Sequence, residues 1–128
     1  FDFEDNQPRQ IWIGAGIGIT PFVARLKQRA AHPDTKTIDL FHPTAEFEQA
    51  AIDRLTADAE AAGVRLHLLV DGKNGRLNGE GIRAAVPEWR SASFWFCGPP
   101  GFGEALREDF CANGLPLEQF HQELFQMR

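Results

Sequence analysis

The chain has only two cysteines, Cys97 and Cys111. They lack C-x-x-C spacing, and no histidines lie close enough in sequence to complete a zinc site. This excludes a disulfide scaffold and a structural metal, and the pair reads as reduced thiols in a cytoplasmic setting. These residues hold no signal-peptide pattern and no apolar run of the roughly 18 residues that a membrane helix needs, and any targeting or membrane segment is expected upstream of Phe1. There is also no Lys/Arg run to offset a formal net charge of −5, which argues against nucleic acid or an anionic membrane as partner. No repeats and no low-complexity segments occur. What remains is an ordinary globular balance, 24% charged and 43% hydrophobic, in a chain of 128 residues. A domain of that size buries roughly two-thirds of its unfolded surface and needs no covalent staple. The chain starts at Phe1 without methionine, and the expectation is one domain taken from a longer protein.

The most informative stretch is Gly14-Ala15-Gly16-Ile17-Gly18-Ile19-Thr20-Pro21-Phe22. It follows the apolar run Ile11-Trp12-Ile13, which reads as a buried strand, and precedes a helical pattern that begins at Val23. A glycine-rich turn from strand to helix suits a diphosphate: backbone can approach the phosphate oxygens, and the N–H groups of the first helical turn point at them. Thr20 reads as the N-cap and Pro21 as the first helical residue. The motif departs from G-x-G-x-x-G, because Ile19 stands where the third glycine would be. Taken alone, such a loop also serves as a tight structural turn.

Periodicity predicts strands over 10–14, 37–42, 64–70, 93–97 and 118–124, with helices between them. The first helix runs to residue 31. A second starts at Pro43-Thr44, carries Glu46 and Glu48 at its positive end, buries Phe47, Ala51, Leu55 and Ala59, and stops at Gly63. A loop over 71–76 leads to a short helix over 78–86, and Phe102, Leu106 and Phe110 share a face of the last helix. Strands alternating with helices predict an α/β fold: a doubly wound, five-stranded parallel sheet flanked by helices, Rossmann-like. Ligands in such sheets sit at the carboxyl ends of the strands. That brings the loops after the first and fourth strands to one crevice.

Two further constellations fall there. Cys97-Gly98-Pro99-Pro100-Gly101 is a stiff strand-to-helix turn that presents Cys97 at the top of the sheet; a buried core cysteine is the plainer reading. In the tail, Phe120-His121-Gln122-Glu123-Leu124-Phe125, strand alternation puts His121, Glu123 and Phe125 on one face. By itself that pattern also fits a solvated edge.

With Gly16-Ile17-Gly18-Ile19-Thr20-Pro21-Phe22, Cys97-Gly98-Pro99-Pro100 and His121-Gln122-Glu123-Leu124-Phe125 in this order and separation, the whole chain resembles the nicotinamide-nucleotide-binding domain of the ferredoxin–NADP reductase superfamily. Its nearest look is to the ferric reductase and NADPH oxidase branch, particularly bacterial ferric-reductase-like membrane flavoproteins. The resemblance implies that Gly14, Gly16, Ile17, Gly18, Ile19, Thr20 and Pro21 hold a dinucleotide diphosphate. It implies that Thr20 and Cys97, with Gly98, Pro99 and Pro100, border the nicotinamide. Glu123 would orient the carboxamide and Phe125 would lie against a flavin ring, so Cys97, Thr20, Glu123 and Phe125 form the implied catalytic set. The implied cofactors are NADH or NADPH here and FAD on a domain upstream in the same chain. In that branch a haem-bearing membrane domain is a further partner. The parent would then sit in the inner membrane, with this domain on the cytoplasmic side.

Other members often carry Ser or Arg after the second strand to grip a 2′-phosphate. This chain offers His42 and Thr44 there, without an arginine, and Asp39 comes too early and is expected to face a neighbouring helix or solvent. Arg76 and Lys73 either reach a phosphate or lie in a solvated loop. NADH is therefore expected over NADPH. Two other functions stay open: the reductase component of a soluble oxygenase or haemoprotein system, and a nucleotide-sensing module without turnover.

Overall fold

The computed structural model describes residues 7–45, 48–70 and 77–124, the last two as backbone only. The first six residues, Glu46, Phe47, Lys73, Arg76 and Phe125 lie outside the described residues. The strands are β1 (Arg9–Gly14), β2 (Thr37–Thr44), β3 (Arg65–Val70), β4 (Ala92–Gly98) and β5 (Phe120–Leu124). The helices are α1 (Thr20–Ala31), α2 (Gln49–Ala62), α3 (Gly79–Ala85) and α4 (Pro100–Ala112). The sheet order is β3-β2-β1-β4-β5, and every pairing is parallel. The chain winds outward from β1 to β3, returns to β4 beside β1, and winds outward again to β5. The expected doubly wound, Rossmann-like sheet is therefore the fold.

Strand alternation sorts the apolar residues onto two faces. Ile11, Ile13, Phe94 and Phe96 pack with Ile82 and Val86 of the α3 segment and with Leu106 and Phe110 of α4. Trp12, Leu40 and Trp95 pack against Phe22 and Leu26 of α1 and Leu55 and Ala59 of α2. The Phe94 and Phe110 rings lie 4.4 Å apart. The indole of fully buried Trp12 donates to Gln10 Oε1 at 2.8 Å.

Several local expectations are corrected. β2 runs to Thr44 and α2 begins only at Gln49, because Pro43 and Thr44 pair with Leu69 and Val70 of β3, and ladder pairing wins over the local start signal. Ala51 is exposed, and the buried stripe of α2 is Leu55, Ala59 and Ala62. Residues Leu117–Gln119 form a 3-10 turn, so β5 begins at Phe120. α2 stops at Gly63 as expected.

Asp39 does not face solvent; it shares a small cavity with Ala85 of α3. It is 1% exposed and takes hydrogen bonds from Arg65 Nε at 2.5 Å and His67 Nε2 at 2.8 Å, with Arg9 3.6 Å away. Arg9 also pairs with Glu88 at 3.0 Å. Burial pushes the Asp39 carboxyl up, but the hydrogen bonds from His67 and Arg65 and the Arg65 charge outweigh it and hold the group below its ordinary value. The unfolded chain therefore binds this proton first. The contribution to stability is present above the ordinary value of 3.8 and is lost as pH falls through the lower folded value. Asp39→Asn should lower the melting temperature at pH 7, because it removes the buried carboxylate that accepts from Arg65 and His67 and pairs with Arg9. It should also flatten the acid loss of stability below about pH 4. Thermal melts from pH 7 to pH 3 check both, and an unchanged acid limb contradicts the assignment.

Candidate functional site

The turn after β1 lies at the carboxyl edge of the sheet, where β1 and β4 run side by side. Gly14 pairs with Cys97 in the ladder. One residue on, the Ala15 N–H donates to the Cys97 carbonyl at 3.0 Å. The chain then makes a 3-10 turn, Gly16–Ile19, which runs directly into α1. The Gly18 N–H donates to the Ala15 carbonyl at 2.9 Å. Thr20 is not the N-cap: Ile19 holds that position, Thr20 is the first residue of α1, and Pro21 lies in its first turn. The Thr20 hydroxyl instead donates to the Ile17 carbonyl at 3.1 Å. The extra turn moves the helix start back: Thr20 already has helical backbone, φ −53° and ψ −50°, and not the extended conformation of a capping residue.

The glycines of the turn do different work. Gly16 has φ +57°, a left-handed conformation, and a Cβ there would meet nothing within 4 Å. Its backbone is the open floor of a cleft. A Cβ at Gly18 would overlap the Cys97 carbonyl and crowd the Gly98 nitrogen at 2.9 Å. Gly18 thus lets the turn sit on the end of β4, and a side chain there would strike protein before any phosphate.

Two cavities adjoin at this turn and share Gly16, Thr44 and Ala45. One, about 480 Å3, lies toward α1 and α2 and is lined by Ile17, Thr20, His42, Glu48, Ile52, Leu55 and Leu68 among others. The other, about 610 Å3, reaches Pro43, Leu77, Asn78, Pro99 and Phe102. Together they make a long cleft crossing the glycine turn, which fits an extended ligand with a phosphate bridge in its middle. Neither is lined by Lys or Arg among the described residues. An anion here would rest on backbone N–H groups and the positive end of α1.

Of the residues singled out from the sequence, Gly16, Ile17, Ile19, Thr20, His42, Thr44 and Pro99 line this cleft. Ile17 is one of the most exposed large apolar side chains, at 59%. His42 is buried, and its Nδ1 lies 2.6 Å from the Gly14 carbonyl. Burial lowers its pKa, the hydrogen bond to Gly14 opposes this more weakly, and the ring is neutral at pH 7. Cys97 stands at the carboxyl end of β4, but its side chain is not presented to the crevice: it is 1% exposed and packs in the α1/α2 core, the plainer of the two readings. Glu123 pairs with Cys97 in the ladder, so the two meet at the same level of the sheet. His121, two residues earlier, stacks on Trp95 with ring centroids 3.9 Å apart. Asn78, Phe102, Ile52 and Leu68 were not anticipated. Asn78 caps α3, its Oδ1 accepting from Gly81 N–H at 2.8 Å, and that cap is legible as Asn before Gly-Glu-Gly. The others are apolar lining with no sequence signal. Among the described residues there is no cluster of three or more His, Cys, Asp or Glu able to hold a metal, and no helix long and apolar enough to cross a membrane.

No protein-family model matches the chain. Among curated proteins, phenoxybenzoate dioxygenase subunit beta from Ectopseudomonas oleovorans is 32% identical over 98% of this chain and 37% of its own. A cytochrome P450 reductase from Amycolatopsis superposes with a TM-score of 0.73 at 27% identity, over 97% of this chain and 39% of that one. The flavohem-like FAD/NAD binding domain of nitric oxide dioxygenase from Vibrio cholerae superposes with a TM-score of 0.78 over 98% of this chain and 54% of that one. At 20% identity, that last likeness is one of fold. Other curated relatives are named a flavohemoprotein from Oceanobacillus iheyensis, 23% identical over 97% of this chain and 32% of its own, and an NADPH oxidoreductase from Mycobacterium tuberculosis, 30% identical over 73% of this chain and 25% of its own. The chain spans about a third of the length of the curated relatives it matches.

The two glycines separate in a stability test. Gly16→Ala should cost about 1–2 kcal/mol, the strain of a left-handed L-residue. Gly18→Ala should cost more, because its methyl requires the end of β4 to move. Denaturant melts of both variants check the order, and equal costs contradict the close approach of Gly18 to Cys97.

Proposed function

We propose that these 128 residues are the nucleotide-binding domain of a longer flavoprotein, and that they hold NADH or NADPH across the glycine turn beside an FAD carried by a neighbouring domain. The open floor at Gly16, between two cavities at the junction of β1 and β4, carries this reading. The nicotinamide supplies a hydride that the flavin accepts, so no acid or base is required of the protein. The task of the chain is to place the donor within about 3–3.5 Å of the acceptor.

The roles follow position. The 3-10 turn and the start of α1 receive the diphosphate. Thr20, Cys97 and Glu123 shape the nicotinamide end. Cys97 does so as a buried wall, because its burial in the α1/α2 core suits packing better than nucleophilic attack. Phe125, one residue past β5, is assigned to the flavin face. NADH is preferred over NADPH, since no described lining residue is cationic and Glu48 lines the α2-side cavity. A 2′-phosphate would meet negative charge there.

The final acceptor is assigned to an oxygenase or haemoprotein partner. The names of the dioxygenase subunit and the P450 reductase support this. A ferric reductase would share the same half-reaction and differ in the acceptor.

Calorimetric titration of the intact protein with NADH and NADPH tests the reading. Both should bind, with NADH the tighter of the two; a preference for NADPH beyond about 100-fold, equivalent to about 2.7 kcal/mol, is not expected. Cys97→Ser should slow flavin reduction in stopped-flow while leaving it measurable, and Phe125→Ala should change nicotinamide affinity and the flavin spectrum. Absence of nucleotide binding overturns the proposal. A stronger NADPH preference would assign a phosphate clamp to Arg76 or Lys73.

A further inference from the structure

The peptide between Gly14 and Ala15 is gripped from both neighbouring strands. On the β4 side its N–H, that of Ala15, donates to the Cys97 carbonyl at 3.0 Å. On the β2 side its carbonyl, that of Gly14, lies 2.6 Å from His42 Nδ1. A carbonyl oxygen only accepts, so the ring must carry its proton on Nδ1. This peptide is the last rigid plane before the chain leaves the sheet. Its orientation sets the direction in which Ala15 enters the turn, at φ −92° and ψ 123°, and hence where the following N–H groups point. The turn is held again at Gly18 by the Cys97 backbone. Gly16, between these two anchors, has open space above it.

We propose that His42 is a positioning residue for nucleotide binding: its Nδ1–H holds the Gly14 carbonyl and, with the Cys97 carbonyl opposite, fixes the peptide plane from which the phosphate-binding turn springs. The role rests on the nucleotide reading above but assigns His42 no contact with a 2′-phosphate. The side chain acts on the ligand through the backbone it orients. A neutral ring suits the task. So does its burial, since a donor shielded from water holds one partner without competition.

Substitution separates this role from simple packing. Asn places an amide N–H where Nδ1 stands, whereas Phe keeps the ring and removes the donor. In calorimetric titrations of the intact protein with ADP and with NADH, His42→Phe should weaken both ligands by about tenfold, roughly the net worth of one hydrogen bond. His42→Asn should stay within about threefold of the parent. Far-UV circular dichroism and thermal melts confirm that each variant is folded. A folded His42→Phe with undiminished ADP affinity, or a His42→Asn as weak as His42→Phe, overturns the proposal. A parent protein that binds neither ADP nor NADH overturns the nucleotide reading itself. Should His42→Phe fail to fold, nitrogen-15 NMR of the parent at pH 7.5 decides. Expected is an Nδ1–H tautomer whose resonance moves on saturation with ADP. An Nε2–H tautomer, or a resonance that ADP leaves in place, refutes the clamp.

Discussion

The carbonyl of Cys97 accepts the Ala15 N–H at 3.0 Å, and Gly18 lies directly against the same carbonyl. This one backbone group at the end of β4 holds the turn after β1 at its beginning and near its end. The sheet brings it there, because β1 and β4 are neighbours in register from Arg9 and Ala92 up to Gly14 and Cys97. That pairing exists because the chain reverses its winding between β3 and β4. The cleft, the start of α1 and the open floor at Gly16 all follow from it. Replacing either glycine by a larger residue would trade site geometry for clash or strain.

The two edges of the sheet divide the chemistry. At the amino edge of the central strands, Arg9, Asp39, Arg65, His67 and Glu88 form a compact set of ion pairs and hydrogen bonds. Buried charge there is neutralised by design of the pairing, and the group serves stability. At the carboxyl edge, the described residues lining the cleft include no cation. An anionic ligand would depend on peptide dipoles held in fixed orientations. Such donors cost nothing to reorganise when the ligand arrives, but they work only if the backbone is rigid. The paired anchors on the Gly14–Ala15 peptide supply that rigidity.

Much was legible in the residues themselves. Apolar runs of strand length separated by helical patterns leave little choice but a parallel sheet covered on both faces, and that sheet is present. The crevice followed from it, because glycine-rich and Gly-Pro-rich turns fall at the carboxyl ends of adjacent strands. Where the local reading failed, a distant partner outweighed a local signal. Pro43 and Thr44 look like a helix start but pair with β3. Thr20 looks like a cap but follows a 3-10 turn that has already brought it into helical conformation. Asp39 looks like a surface charge in a strand, and only the pairing of β2 with β3 sets it beside Arg65 and His67.

By itself the sequence determined the element types, the parallel α/β architecture and the end of the sheet where a ligand would sit. These depend on periodicity, turn chemistry and connection length, all of which act over a few residues. Only the tertiary structure decided what each glycine is for, that Cys97 is a wall with a working carbonyl, and that His42 reaches back to Gly14. Those are contacts between residues 28, 79 and 82 positions apart in the chain, Gly14 with His42, and Gly18 and Ala15 with Cys97. Their existence depends on how β2 and β4 are placed either side of β1, a choice that no local signal encodes.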